Sequence, residues 1–209
     1  MSTLRNKIID SYSKIHSPIL YIDGGEVSFE GSQKQFEFFS AWDSISNYYS
    51  KNPSDQLTFL EIGAWKGLWG IAFAEFCNLN NIKGKYITVT MLEHDSNNQS
   101  IFHSLRHIES LGLETVLIDE NSLSEQALNK VLTNGKDYNI VYIDADHHYS
   151  SVISDIKNFA PLSKDILIFH DIRPIESDVY QAIKDSNVVL DEEICFNNNG
   201  MGIGIKYIK

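Results

Sequence analysis

The sequence predicts an α/β fold: a seven-stranded, mainly parallel sheet with helices on both faces and an antiparallel hairpin at its carboxyl end. Three observations predict it. From about residue 57 onward, short apolar runs alternate with amphipathic stretches, the pattern of βαβ units whose right-handed crossovers cover both faces of a sheet. The runs are four to seven residues long and rich in β-branched and aromatic residues, as strands buried on both faces require. The last two runs are joined by a turn-forming cluster, so one strand there runs antiparallel, at or near the sheet edge.

Residues 1–31 read as a short helix and a loop, Ser17–Gly31. Ser32–Ser50 carries Phe36, Phe39, Ile45 and Tyr49 along one helical stripe. The first core strand is expected at Leu57–Ile62, followed by a helix near Leu68–Leu79. Tyr86–Leu92 and Asn97–Leu111 make the second strand–helix pair, Thr115–Ile118 and Ser122–Leu132 the third, Asn139–Ile143 and Ser150–Phe159 the fourth. Ile166–Phe169 is the fifth strand; Val188–Phe196 and Met201–Ile208 are the hairpin arms, joined by Asn197-Asn198-Asn199-Gly200. At 209 residues the chain fits a single domain. It divides into an N-terminal helical cap or lid region, 1–50, of which residues 1–31 could cover a substrate site or form a dimer contact, and a core, 51–209.

Composition is ordinary for a globular protein, 43% hydrophobic and 22% charged. The net charge of −11 argues against a nucleic-acid partner, because neutralising phosphates needs clustered Lys and Arg. Cys77 and Cys195 are too few for a disulfide scaffold and sit in apolar contexts, as in a reduced cytoplasmic protein. The amino terminus lacks an apolar signal core, and no stretch approaches the roughly 18 apolar residues of a membrane span. The expected setting is cytoplasmic and away from membranes; a homo-oligomer is left open.

The first core strand leads into Glu61-Ile62-Gly63-Ala64-Trp65-Lys66-Gly67, an acid followed by Gly-x-x-x-Gly opening a helix. Glycines there let a ligand approach the backbone. A dinucleotide site wants Gly-x-Gly-x-x-Gly, which brings amides onto a pyrophosphate. A carboxylate ahead of the glycines repels pyrophosphate but suits the cationic amino group of S-adenosylmethionine; the plainer alternative is a tight strand-to-helix turn. Glu93 and His94 end the second strand, where an acid can accept both ribose hydroxyls of a nucleoside or stand solvated, with Asp95 as the substitute. Asn121 and Ser122 follow the third strand, where an adenine ring lies or the next helix finds its cap.

The segment Val141-Tyr142-Ile143-Asp144-Ala145-Asp146-His147-His148-Tyr149 puts two carboxylates and two imidazoles on the rim where open α/β sheets bind ligands. The next strand ends in His170-Asp171. If the two strands are adjacent and parallel, Asp144, His170 and Asp171 meet as oxygen and nitrogen donors for a divalent cation. Buried acids at two strand ends are costly without a cation, which favours a metal site over a structural role. His16, His103 and His107 have no such context and read as ordinary surface or core residues.

Asp144-Ala145-Asp146-His147 resembles the Asp-Ala-Asp-Lys signature of metal-dependent catechol- and caffeoyl-CoA-type O-methyltransferases. The wider segment, with Tyr149, Asp155, Pro161-Leu162 and His170-Asp171, is closer to a bacterial branch of macrolide-sugar O-methyltransferases and the so-called cephalosporin hydroxylase family. The ending Gly200-Met201-Gly202-Ile203-Gly204 is similar to that branch too. Seven strands finishing in a hairpin is also the arrangement of class I methyltransferases, a Rossmann-like fold. The likeness covers roughly residues 32–209.

The resemblance implies S-adenosylmethionine as methyl donor, bound around Glu61, Gly63, Ala64, Trp65, Gly67, Glu93, His94, Asn121, Ser122 and Asp144. It implies a divalent cation, Mg2+ or Mn2+, on Asp144 and Asp171 with His170 as candidate third ligand, and His147 as general base. The implied acceptor is a hydroxyl of a small molecule, a sugar or glycosylated natural product. Two departures from the catechol pattern, His147 in place of Lys and His170-Asp171 in place of Asp-Asn, favour the bacterial branch. Trp42, Trp65 and Trp69 are candidates to stack on an acceptor ring, Trp42 being better suited to the core. The rival readings are a metal-independent methyltransferase, an NAD(P)-dependent oxidoreductase and a binding domain with a relic site.

Overall fold

The computed structural model describes residues 2–16, 21–23, 26–28, 34–94, 100–175, 177–195 and 201–208. Helix α1 (Ser2–Ile15) and a ribbon of β1 (Tyr21–Asp23) with β2 (Glu26–Ser28) precede helix α2 (Gln35–Lys51). Then come β3 (Gln56–Ile62), α3 (Leu68–Asn80), β4 (Lys83–Thr90), α4 (Ser100–Ser110), β5 (Glu114–Asp119) and α5 (Glu125–Asn134). The chain continues through β6 (Tyr138–Ile143), α6 (Tyr149–Phe159), β7 (Ser163–His170), α7 (Asp178–Asp185), β8 (Glu192–Ile194) and β9 (Ile203–Tyr207). Among the described residues, seven strands form one sheet in the order β5-β4-β3-β6-β7-β9-β8. Strands β3 to β7 pair in parallel, and β9 lies antiparallel between β7 and β8.

Alternation along each strand builds the two layers. Phe59, Ile140, Tyr142, Ile166 and Ile168 point to one side, into a core with Ile8, Phe38, Trp42, Trp69 and Phe73 of α1, α2 and α3. Leu60, Val141, Ile143, Leu167 and Phe169 point to the other, against Val131, Ile156, Phe159 and Ile183 of α5, α6 and α7. The sheet, the hairpin and the helices on both faces match the sequence expectation.

The differences are local. Within Ser17–Gly31, expected as a loop, the described residues form the β1–β2 ribbon. Helix α7 went unforeseen because its buried stripe is only Val179, Ala182 and Ile183, a single turn. On α2, Phe36 is 48% exposed, and Phe38, Phe39, Trp42, Ile45 and Tyr49 make the buried stripe instead. Strand β4 stops at Thr90, and Leu92–His94 is a 3-10 turn. There the Leu92 N–H donates to the Asp119 carboxylate at 3.0 Å rather than to a ladder partner. Helix α5 starts at Glu125, because Ser124 caps it by accepting from Ala127 N–H at 3.0 Å. Asn121 and Ser122 are therefore not its caps. Asp95 and the Asn197–Gly200 connection lie outside the described residues.

Candidate active site

Strand register assembles the site. Ile62 of β3 pairs with Ile143 of β6, and Ile143 pairs with Phe169 of β7. One step further along, Gly63, Asp144 and His170 stand side by side at the carboxyl edge of the sheet. A Cβ on Gly63, whose φ is +90, would lie 2.0 Å from the Asp144 carbonyl oxygen. The glycine is thus required by the protein's own backbone, where the sequence reading had reserved the space for a ligand. Trp65 (φ 44) and Gly67 (φ 77) complete the reversal into α3, with Gly67 N–H donating to Ala64 C=O at 2.6 Å. Ala64 is buried and Trp65 is 58% exposed.

At this edge Asp144, His147 and Asp171 each offer a ligand atom, all within 4.8 Å of one another. His147 Nε2 is 2.9 Å from Asp171 Oδ2 and 3.5 Å from Asp144 Oδ1. His170 Nδ1 is 3.0 Å from Asp171 Oδ1 and 3.5 Å from Asp144 Oδ1. Tyr142 donates its hydroxyl to Asp144 Oδ2 at 2.7 Å. Asp171 has a φ of 57; among the described residues, it and Trp65 are the positive-φ residues other than glycine and asparagine, and both stand here. Such backbone conformations persist where surrounding structure enforces them.

The four charges are mutually dependent. Hydrogen bonds to Asp144 and Asp171 push the His147 imidazole up to about 10. Burial opposes charging of His170, but the carboxylates of Asp144 and Asp171 outweigh it and carry that ring to about 10 as well. Burial likewise opposes ionisation of Asp171 and Asp144, yet the two imidazoles hold both carboxyls below their ordinary value. Two carboxylates thus face two imidazoliums. His170 Nε2 is buried without a hydrogen-bond partner among the described residues.

The two carboxylates, side by side at the sheet edge with an imidazole next to them, suit a hard divalent cation. His147 is the outer imidazole beside the two acids, and His170, expected as third ligand, is the buried one, its Nδ1 within 3.5 Å of both. His148 turns away. Its Nδ1 is 2.7 Å from Asp146 Oδ1, while Ser151 donates to Asp146 Oδ2 at 2.6 Å. The Ser151 hydrogen bond leads the causes that lower Asp146 to about 2. Asp146 therefore fixes the entry to α6 and leaves Asp144 to meet His147.

On the donor side, Glu61 is 2% exposed and accepts the Tyr86 hydroxyl. Burial pushes its carboxyl well above the ordinary range despite that hydrogen bond. The neighbouring charge of Asp144 raises it further. Strand parity sets the hydrogen bond: Glu61 and Tyr86 are diagonal neighbours on the α3-facing side of β3 and β4. Glu93 is exposed at the exit of β4, and His94 closes the same 3-10 turn. Asn121 Oδ1 is occupied by Leu123 N–H at 2.9 Å, and buried Ser122 donates to Asp155 Oδ2 at 3.2 Å. Trp42 and Trp69 are buried, Trp69 stacked on Tyr142 at 4.3 Å, so neither faces an acceptor. Sequence reasoning passed over Tyr86 and Tyr142; strand alternation places both on the face of the two acids they bind.

A parallel sheet closed by an inserted antiparallel strand, with a glycine reversal after its first core strand, defines a Rossmann-like class I methyltransferase. Residues 60–172, more than half of the chain, match the methyltransferase domain family, and the chain belongs to that family. The oxidoreductase reading is thereby set aside. No curated protein sequence matches the chain. Among solved structures it is similar to the O-methyltransferase NovP, with 10% identity, a TM-score of 0.59, and coverage of 82% of this chain and 79% of NovP. It is also similar to the rRNA methyltransferase AviRa from Streptomyces viridochromogenes: 12% identity, TM-score 0.53, coverage of 94% and 92%. A third is MycE of the mycinamycin biosynthetic pathway, solved with Mg, SAH (S-adenosylhomocysteine) and mycinamycin VI. Identity there is 13% and the TM-score 0.54, and 95% of this chain spans 53% of MycE. At such identities the likeness is one of fold.

Proposed function

We propose that this protein is an S-adenosylmethionine-dependent O-methyltransferase that works with Mg2+ or Mn2+ on Asp144 and Asp171 and with His147 as general base. The observation that carries the proposal is the convergence of Asp144, His147 and Asp171 within 4.8 Å, next to the backbone of the Gly63 turn. The acids lie deeper, with side chains 19% and 8% exposed, and His147 is outermost at 54%. That order puts the proton acceptor on the side from which a hydroxyl approaches.

A sulfonium brings its own leaving group, so the protein has to align an oxygen nucleophile and remove its proton. The methyl–sulfur bond breaks as the oxygen–methyl bond forms; the hydroxyl proton goes to His147 Nε2, leaving a methyl ether and S-adenosylhomocysteine. As it stands His147 already holds a proton, kept there by two carboxylates, and an imidazolium is no base. A dication on Asp144 and Asp171 would acidify the hydroxyl and take over the negative charge that protonates His147. His170 keeps the two carboxylates oriented from below, and Tyr142 fixes Asp144.

For the acceptor we infer a sugar or glycosylated small molecule. Trp65, Leu123, Ile175 and Met201 are exposed in the connections at this end of the sheet, and Tyr149 at the start of α6; they offer apolar surface for such a body. The net charge of −11 speaks against a polyanion. Two cysteines, Cys77 and Cys195, are too few for a disulfide scaffold and accord with a cytoplasmic setting.

Calorimetric titration with Mn2+ and with S-adenosylhomocysteine tests the reading. The parent protein should bind both, Asp171→Asn should lose the metal and keep the nucleoside, and His147→Ala should keep both while abolishing transfer to a glycoside acceptor. Turnover that persists in excess chelator would leave the fold a metal-independent methyltransferase.

A further inference from the structure

We propose that His16, just beyond α1, is a positioning residue for the donor site, acting through Ser104 on the turn between β3 and α3; this rests on reading that turn as the S-adenosylmethionine site. Ser104, on α4, is fully buried. Its hydroxyl donates to the Lys66 carbonyl, inside the Gly63–Gly67 turn, at 2.5 Å, with the Ser100 carbonyl a distant second at 3.4 Å. A hydroxyl has one proton to give. With that proton on Lys66, the 2.9 Å contact between His16 Nε2 and Ser104 Oγ leaves the imidazole as donor. The chain of bonds therefore has a single polarity, from His16 N–H through Ser104 O–H to the Lys66 carbonyl, and each bond polarises the next.

The turn at the far end needs such support. Lys66 lies between Trp65 at φ 44 and Gly67 at φ 77. A Cβ on Gly67 would stand 3.0 Å from Ser104 Cβ and 3.1 Å from Ile101 Cδ1, so α4 already packs directly on the reversal. Helix α1 is seated independently: Ile8 and Tyr12 are buried, and Ser11 donates to buried Glu75 of α3 at 2.5 Å. The Tyr12 ring, 4.8 Å from the His16 ring between centroids, orients the imidazole. Of these two polar contacts, that of Ser11 is with α3, and that of His16 leads to the turn.

Calorimetric titration of S-adenosylhomocysteine into the full chain and its variants, beside their thermal unfolding, separates these roles. His16→Phe keeps a ring beside Tyr12 but no donor, and should weaken binding about five- to tenfold, the worth of one buried hydrogen bond. Ser104→Ala should cost as much or more, and the double variant no more than Ser104→Ala alone, because both act on one chain of bonds. His16→Gln, which retains an N–H donor, should stay within about twofold of the parent, a rescue that bulk packing would not give. Ser11→Ala should lower the Tm while leaving affinity unchanged. Equal affinity in His16→Phe and parent overturns this inference alone, as does a loss in Ser11→Ala matching that in His16→Phe. A parent that binds no S-adenosylhomocysteine overturns the donor-site reading and this inference with it.

Discussion

His147 shows how two neighbouring carboxylates, Asp144 and Asp171, decide what an imidazole can do. The carboxylates of Asp144 and Asp171 push both His147 and His170 from the ordinary 6.5 up to about 10. A raised folded value means that the stabilisation is complete below about pH 6.5 and disappears as pH climbs toward 10. Thermal unfolding without added cation should therefore show a falling Tm from pH 7 to 10, and Asp171→Asn should flatten that slope. Asp155 behaves in the opposite sense. Burial raises its carboxyl from 3.8 to about 6, and its Oδ1 has no partner among the described residues. Ionising it is thus a cost that appears as pH rises from 4 to 6 and stays above, on the order of 2–3 kcal/mol. The Tm of Asp155→Asn relative to the parent should rise across that interval; a constant difference would show that the carboxyl is ionised without penalty.

The strands were legible because each is a short β-branched run, and strand order made Asp144 and Asp171 neighbours as adjacency of β6 and β7 requires. Helix α7 and the β1–β2 ribbon were not, since one turn of stripe and three-residue strands leave no period to read. The partner of Glu61 was hidden for a related reason. Sequence shows an acid at a strand end, but only the β3–β4 register shows that Tyr86 is there to bury it. The same backbone crowding gives Gly63→Ala a large expected effect. An added Cβ 2.0 Å from the Asp144 carbonyl forces β3 and β6 apart, which should cost about 3 kcal/mol or more, some 6–12 °C in Tm. Ser124→Ala removes an ordinary helix cap and should cost only about 1 kcal/mol. Comparable losses in the two variants would mean that the contact between the strand ends relaxes freely.

Across the whole chain, among the described residues, no helix is long and apolar enough to cross a membrane, and the net charge is −11. A ligand that binds only the folded state raises stability by mass action, about 2.7 kcal/mol at a hundred times its Kd. S-adenosylhomocysteine should therefore raise the Tm by several degrees where NADH does not; a shift with NADH alone would reopen the dinucleotide reading. The stack of Trp69 on Tyr142, whose hydroxyl is bonded to Asp144, has an optical consequence. Any change of charge at that carboxylate repolarises the phenol and, 4.3 Å away, the indole above it. In a Trp42→Phe, Trp65→Phe background the emission of the remaining tryptophan should respond if the cation proposed for Asp144 and Asp171 arrives at the sheet edge, a label-free readout that needs no acceptor.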